Sequence, residues 1–96
     1  MKLLLMIYDA DFDEDVMEML TICCVTGYTK WDRVLGKGKK SDPKLDDAVW
    51  PGYNCAVAVA LENDVEDKII SAMKTLRNKL GGMGFVVYEL PVMRVI

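Results

Sequence analysis

Short apolar runs and longer periodic stripes alternate along the chain. Leu3–Tyr8 is a continuous apolar run, as expected for a buried strand. An acidic turn, Asp9-Ala10-Asp11, follows it, and Asp11 stands three residues before Glu14, the spacing of a capping box. We therefore expect a helix that begins at Asp11 and ends before Gly27. Its apolar stripe consists of Phe12, Val16, Met19, Leu20 and Cys23.

The second half of the chain repeats this order. Tyr28–Leu35 mixes aromatic and β-branched residues with polar ones and predicts a second strand, and Cys55–Leu61 alternates alanine with valine and predicts a third. Asn63 and Glu66 repeat the capping-box spacing before a second helix. The apolar stripe of this helix consists of Val65, Ile69, Met73, Leu76 and Leu80.

The end of the chain predicts one more strand and completes a recognisable order. Gly81-Gly82 ends the second helix, Phe85–Tyr88 predicts a fourth strand, and Pro91 stops that strand or places it at a sheet edge. The tail, Val92–Ile96, predicts a further edge strand. The order β-α-β-β-α-β is that of an α+β, ferredoxin-like domain over residues 1–96, with both helices on one face of a four-stranded antiparallel sheet.

The composition of the chain indicates that it associates with another subunit. The 96 residues are 52% hydrophobic and carry a net charge of -3. A chain of this size buries only about 60–65% of its unfolded surface, and the ferredoxin-like plan leaves one sheet face uncovered. We therefore expect oligomerisation through that face. High apolar content excludes disorder, and the acidic balance argues against nucleic acid as a partner.

The cysteines indicate a reduced compartment. Cys23, Cys24 and Cys55 form a poor disulfide framework, and no signal peptide is visible. The longest clearly apolar stretch, around Ala56–Leu61, is far shorter than the roughly 20 residues that span a bilayer. We expect a cytoplasmic protein that does not insert into membranes. Adjacent helical cysteines point about 100° apart and the chain has no histidine, so we predict no metal site.

The long segment Gly36–Asn54 is the first candidate for a functional part of the chain. It opens on Gly36-Lys37-Gly38-Lys39-Lys40, where glycine backbone and lysines suit a phosphate, although a solvated flexible loop is the more common reading of such a run. Trp50–Asn54 is a rigid aromatic turn that either anchors the loop or contacts a ligand or partner. Without histidine or a nucleophile–base pair we predict no catalytic residue and no enzyme.

Four segments together resemble the PII signalling family. Val25–Thr29 followed by Gly36–Lys39 is similar to the family's entry into its second strand and the base of its T-loop. Gly82-Met83-Gly84 and the ending Val92–Ile96 are similar to its later glycine turn and C-terminal strand. On local signals alone, Gly81–Gly84 is a helix cap and turn. The resemblance implies a ferredoxin-like homotrimer whose clefts between subunits bind small effectors, typically adenine nucleotides.

The resemblance also assigns ligand-binding residues. It places a nucleotide contact at Thr29 and the T-loop base at Gly36, Gly38 and Lys39, with Gly82 and Gly84 in the second glycine turn. Two departures from the family pattern are expected to weaken triphosphate binding. Phe85 stands where the family has a phosphate-binding lysine, and the chain ends at Ile96 without the family's arginine pair. Each lost charge-assisted contact removes about 1.5–3 kcal/mol.

These observations lead to two hypotheses of different class. In the first, a trimeric regulator binds a small effector, an adenine nucleotide being one candidate, and contacts a target transporter or enzyme through residues 37–54. The contacting side chains would be Lys37, Lys40, Trp50 and Tyr53. The alternative is a nucleotide-independent, CutA-like trimeric module for metal tolerance or transport. An acylphosphatase-like hydrolase is disfavoured, because Asp9-Ala10-Asp11 would repel a phosphate after the first strand.

Overall fold

Four strands and two helices make up the computed structural model, which describes residues 1–96. The strands are β1 (Lys2–Asp9), β2 (Thr29–Val34), β3 (Asn54–Leu61) and β4 (Phe85–Pro91), and the helices are α1 (Asp13–Ile22) and α2 (Asn63–Lys79). All strand pairs are antiparallel, in the order β2-β3-β1-β4. The predicted ferredoxin-like fold is confirmed. Neither helix is long and apolar enough to cross a membrane.

The core forms where the helices cover alternate residues of the sheet. On β1, Leu4, Met6 and Tyr8 point towards the helices and are at most 1% exposed. Burial of each large apolar side chain contributes roughly 1.5–3 kcal/mol. The remaining core residues come from both helices, β3 and the start of β4: Val16, Met19, Leu20, Cys55, Val57, Val59, Leu61, Ile69, Met73, Leu76 and Phe85.

The opposite side of the sheet, which we call the open sheet face, is not covered by either helix. Strand register places on it the alternate residues Leu3, Leu5, Ile7, Thr29, Trp31, Ala56, Ala58, Ala60, Val86, Tyr88 and Leu90. Nearly all are apolar, and Trp31 and Tyr88 are about half exposed. A large contiguous apolar surface on a small protein is typical of an interaction surface.

A polar network ties β1, α1 and β2 together at the edge of the core. The buried Tyr8 hydroxyl donates to Asp13 Oδ1 at 2.6 Å, and Lys30 Nζ lies 2.6 Å from Asp13 Oδ2. Burial, reinforced by the Asp13 carboxylate, raises the pKa of Tyr8 far above its ordinary value. Partial burial of Asp13 opposes its ionisation, but hydrogen bonds from Lys30 and Tyr8 outweigh it and lower the pKa of Asp13.

The helix starts differ from the capping boxes that the sequence predicts. Helix α1 begins at Asp13 with no side-chain cap, and the Asp9 carboxylate accepts the Asp11 N–H at 2.9 Å to cap a 3-10 turn over Ala10–Phe12. Helix α2 also begins without a side-chain cap. The Asn63 side chain instead accepts a hydrogen bond from the amino group of Met1 at 3.0 Å. The amino group of Met1 has thus taken the capping group predicted for α2, whereas near the start of α1 the neighbouring Asp9 caps in place of Asp11.

The end of α1 is a second difference between the sequence prediction and the structure. The helix stops at Ile22, and Cys24, not Gly27, adopts the left-handed conformation with φ of 60°. The Val25 N–H reaches Leu20 O at 2.9 Å and the Cys24 N–H reaches Thr21 O at 3.0 Å, which is the hydrogen-bond pattern of a Schellman motif. A cysteine at this position is strained relative to glycine.

The end of the chain is a third difference between the sequence prediction and the structure. Strand β4 runs on to Pro91, where it forms a sheet edge that tolerates a residue without an N–H. Residues Val92–Ile96 form no strand, and the only backbone hydrogen bond from this tail joins Val92 N–H to Met1 O at 3.3 Å. Val65 also departs from its predicted place in the core stripe, since it is 42% exposed.

We expect Asp13→Asn to lower the free energy of unfolding at pH 7 by about 1–2 kcal/mol. Because the folded-state pKa of Asp13 is lowered, its ionised form stabilises the fold above the ordinary value of 3.8, and this stabilisation is lost as pH falls through the lowered pKa. The wild type should therefore lose more stability on acidification than the variant. Urea unfolding at several pH values measures this difference, with Glu14→Gln on the exposed side of the same turn as control. Parallel pH curves for Asp13→Asn and wild type would refute the role of the network.

Candidate functional site

A cavity of about 410 Å³ lies at the carboxyl end of β1, and we call it the loop-base cleft. Its walls are the end of β2, the first part of the loop that follows, the end of α2 and the start of β4. Apolar side chains of the open sheet face, including Ile7, Val86 and Tyr88, line one side of it. Backbone glycines and cationic side chains line the other.

Strand topology explains why distant segments meet there. Strand β1 is antiparallel to both neighbours, so its last residue meets the first residues of β3 and β4. The Asp9 N–H donates to Gly84 O at 2.9 Å, and the Ala10 N–H donates to Tyr53 O at 3.1 Å. The long loop that ends at Tyr53 and the turn that ends at Gly84 are therefore both fixed to the end of β1.

The first part of the long loop is closed by a backbone bridge. Gly36 and Lys44 exchange two hydrogen bonds, of 2.9 and 2.7 Å, and so enclose residues 37–43 in a small loop. The side chain of Lys44 then reaches back across the cleft, where its Nζ lies 2.7 Å from Asp9 Oδ2. The base of the loop is thus joined to the end of β1 by an ion pair as well as by backbone.

The second part of the loop is an ordered turn. Asp47 Oδ1 accepts the N–H groups of Val49 at 3.0 Å and Trp50 at 2.6 Å, and the Asp46 carboxylate pairs with Arg33 of β2. Val49 is 74% exposed and Trp50 is 39% exposed. The turn therefore presents apolar side chains to solvent.

Charge in the loop-base cleft favours an anion. Lys37, Lys44 and Arg77 line it together with one acidic residue, Asp42. Near its wall, partial burial opposes ionisation of Asp9, but hydrogen bonds from Lys44 and from the Asp11 N–H, together with the positive charge of Lys44, lower the pKa of Asp9. The cleft offers backbone and three cations, of which Lys44 is paired with Asp9, to a negatively charged group of a ligand.

The structure brings some of the predicted site residues together. Both glycine clusters reach the loop-base cleft, where the lining includes Gly36, Lys37, Gly38, Gly82 and Gly84. The other predicted residues, Thr29, Lys39, Lys40, Trp50 and Tyr53, are exposed and lie outside this lining. Thr29 lies on the open sheet face opposite Ala58. The roles assigned to these residues remain predictions.

Sequence reasoning missed Lys44 and Arg77. Lys44 is one of several lysines in a polar loop, and its position depends on the bridge to Gly36, which leaves no motif. Arg77 lies on the last turn of α2, where a cation is expected for helix-dipole reasons alone. Phe85 is buried at 4% exposure, with its ring centroid 6.2 Å from that of Tyr8. It therefore supplies core packing where the family has a cation.

The cysteines lie apart from this cleft. All three are free, with Cys24 exposed and Cys55 buried. Burial, followed by the nearby Asp13 carboxylate, raises the pKa of Cys55, and its Sγ donates to Asp32 O at 3.2 Å. No group of three or more Cys, Asp or Glu side chains is placed to hold a metal ion.

Similar structures and a family match define the class of the protein. The fold resembles CPII, a nitrogen regulatory PII-like protein from Thiomonas intermedia K12 crystallised with ADP, AMP and bicarbonate, with a TM-score of 0.69, 17% identity, and coverage of 97% of this chain and 88% of that one. It also resembles a DUF3240 family protein from Shewanella baltica OS155, with a TM-score of 0.72, 12% identity, and coverage of 99% and 92%. The fold is therefore that of PII-like proteins.

The sequence itself matches the family described as "Nitrogen regulatory protein P-II" over residues 1–96. The chain belongs to the P-II family. A search of curated proteins finds no significant match.

We expect Gly84→Ala to destabilise the protein more than Gly82→Ala. Both glycines have positive φ, +72° and +77°, so each substitution carries the backbone cost of about 1 kcal/mol. A Cβ at position 84 would also lie 2.9 Å from Phe12 Cε2, whereas a Cβ at position 82 meets nothing within 4 Å. We expect about 1 kcal/mol of additional destabilisation in Gly84→Ala from this overlap. Chemical denaturation of the two variants measures this difference in the free energy of unfolding. Equal decreases in the two variants would show that the Phe12 contact does not affect stability.

Proposed function

We propose that this P-II family member is a regulatory protein that binds an adenine nucleotide in the loop-base cleft. The observation that carries the proposal is the convergence of two glycine segments, Gly36–Gly38 and Gly82–Gly84, on one cavity lined by three cations. Glycine backbone approaches phosphates closely and lysine and arginine balance their charge. The crystallised relative CPII, bound to ADP, AMP and bicarbonate, supports the same ligand class.

We further propose that the open sheet face assembles the protein into a homotrimer. Its central residues are alanines of β3, which allow close approach of a second subunit, and its rim carries the half-exposed Trp31 and Tyr88. Ile7, Val86 and Tyr88 belong both to this face and to the loop-base cleft. Assembly through the face would therefore complete the walls of the cleft with residues of a neighbouring subunit.

The exposed loop is the proposed contact with a target protein such as a transporter or an enzyme. Its ordered turn presents Val49 and Trp50, Tyr53 is 38% exposed, and Lys37 and Lys40 are exposed nearby. Aromatic residues surrounded by charge are typical of protein interfaces. Because the loop base lines the cleft, an occupied cleft would change the surface offered to the target. We assign the protein a regulatory and not a catalytic role, in a cytoplasmic setting.

A second candidate function is a nucleotide-independent trimeric module of the CutA-like kind. The observation that favours it is the burial of Phe85, which leaves the start of β4 without the family's phosphate-binding lysine. The alternative retains the open sheet face and the trimer but gives the cleft no nucleotide. Nucleotide binding by the purified protein separates the two candidates.

We expect ADP or AMP at millimolar concentration to raise the melting temperature by several degrees, since a ligand that binds only the folded state stabilises it by mass action. Arg77→Gln should reduce the shift because it removes a cation that lines the cleft. Arg94→Gln, in the tail outside the cleft, is the matched control. If AMP, ADP and ATP all leave the melting temperature unchanged, the nucleotide proposal is wrong and the second candidate gains support.

We expect Ala58→Glu to dissociate the proposed trimer. Ala58 lies in the middle of the open sheet face, opposite Leu5 of β1 and Thr29 of β2, so a carboxylate there would be buried without a partner on assembly. Ser71→Glu adds the same charge on an exposed position of α2 and should leave assembly unchanged. Native mass spectrometry reports the subunit number. A trimer that persists in Ala58→Glu would exclude this face as the interface.

A further inference from the structure

Lys44 is the one cation of the loop-base cleft with a fixed backbone and a replaceable partner. Its N–H and C=O are both bonded to Gly36, at 2.7 and 2.9 Å, so the main chain at this point is held. Its Nζ lies 2.7 Å from Asp9 Oδ2, and its side chain is 31% exposed. A lysine in this setting moves its charge by rotating its flexible stem, without rearranging the loop.

Asp9 is able to lose Lys44 without losing its structural role. Its Oδ1 accepts the Asp11 N–H at 2.9 Å, and only Oδ2 is occupied by Lys44. The Asp9 side chain is 22% exposed, so water can replace the ammonium group at Oδ2. The ion pair is thus partly exposed, and solvent screening weakens it and allows the ammonium group to change partners.

We propose that Lys44 is the residue that holds the anionic group of the ligand in the loop-base cleft, and that Asp9 competes with the ligand for it. This inference rests on the proposed nucleotide-binding function and names the residue that recognises the phosphoryl oxygens. A phosphoryl group carries more charge than a carboxylate and accepts several hydrogen bonds, so it draws the three-donor ammonium group away from Asp9.

The other cations of the region fit this role less well. Lys39 and Lys40 are exposed in the closed segment 37–43 and lie outside the lining of the cleft. Lys37 Nζ donates to the neighbouring Gly38 O at 3.3 Å. Arg77 lines the cleft from α2, an element that makes no ion pair with the loop. Lys44 makes the side-chain ion pair between the loop base and the end of β1, so its transfer to a ligand would release that connection while the backbone connection remains.

A double-mutant cycle tests the proposal, with ADP and inorganic pyrophosphate as probes in calorimetric titrations of the full chain. Lys44→Gln should weaken binding about tenfold or more, as expected for loss of one charge-assisted contact. Asp9→Asn should tighten it several-fold, because it frees Lys44 while its amide oxygen still caps the 3-10 turn. In the double variant the Asp9 substitution should give no gain, since its effect acts through Lys44. Lys74→Gln removes a charge from an exposed position of α2 outside the cleft and should bind as the wild type does.

The outcomes separate this inference from the proposed function. If the wild type binds pyrophosphate with this pattern but no nucleotide, the nucleotide function fails and the Lys44 assignment stands. The assignment is overturned if Lys44→Gln binds both probes within twofold of wild type, or if the wild type binds neither probe. It is also overturned if Asp9→Asn tightens binding by the same factor in the Lys44→Gln variant as in the wild type. Circular dichroism confirms folding of each variant. Asp9→Ser, which also keeps an oxygen acceptor for the Asp11 N–H, replaces Asp9→Asn if that variant fails to fold.

Discussion

The pairing of β1 with a neighbour along both of its edges is the constraint on which the rest of the structure depends. Because β1 is central and antiparallel to both β3 and β4, its alternate side chains divide cleanly between the core and the open sheet face. The same pairing brings the start of β3 and the start of β4 to Asp9. One strand thus sets both the surface available for assembly and the place where the two glycine segments meet.

The order of the elements could be predicted from the sequence because each strand and helix has a hydrophobic period of its own. The element ends could not be predicted in the same way. Asp11 and Asn63 are residue types that commonly cap helices, but Asp9 caps the turn and Asn63 binds the amino group of Met1. Cys24 takes the left-handed position that glycine is expected to hold. Competing cap and turn contacts of this kind differ by only about 1 kcal/mol, and the sequence pattern does not rank them.

The candidate site was predictable to the extent that it depends on glycine motifs. Gly36, Gly38, Gly82 and Gly84 carry the family resemblance, and all four reach the loop-base cleft. Of the three cations that accompany them, Lys37 belongs to the glycine–lysine run, but Lys44 and Arg77 have no motif. Lys44 enters the cleft through its bridge to Gly36, a pairing within an irregular loop that hydrophobic periodicity cannot reveal. The burial of Phe85 against Tyr8 is likewise a product of packing. Most of the positive charge in this cleft could therefore not be predicted from the sequence.

A crystal structure grown with ADP tests the central claim most directly. Our account predicts the diphosphate in the loop-base cleft, with a phosphoryl oxygen within hydrogen-bonding distance of Lys44 Nζ and with Asp9 still bonded to the Asp11 N–H. It also predicts that the Lys44–Asp9 contact, 2.7 Å without ligand, is lengthened or broken. A nucleotide bound away from the cleft, or one bound there while Lys44 stays on Asp9, would contradict it.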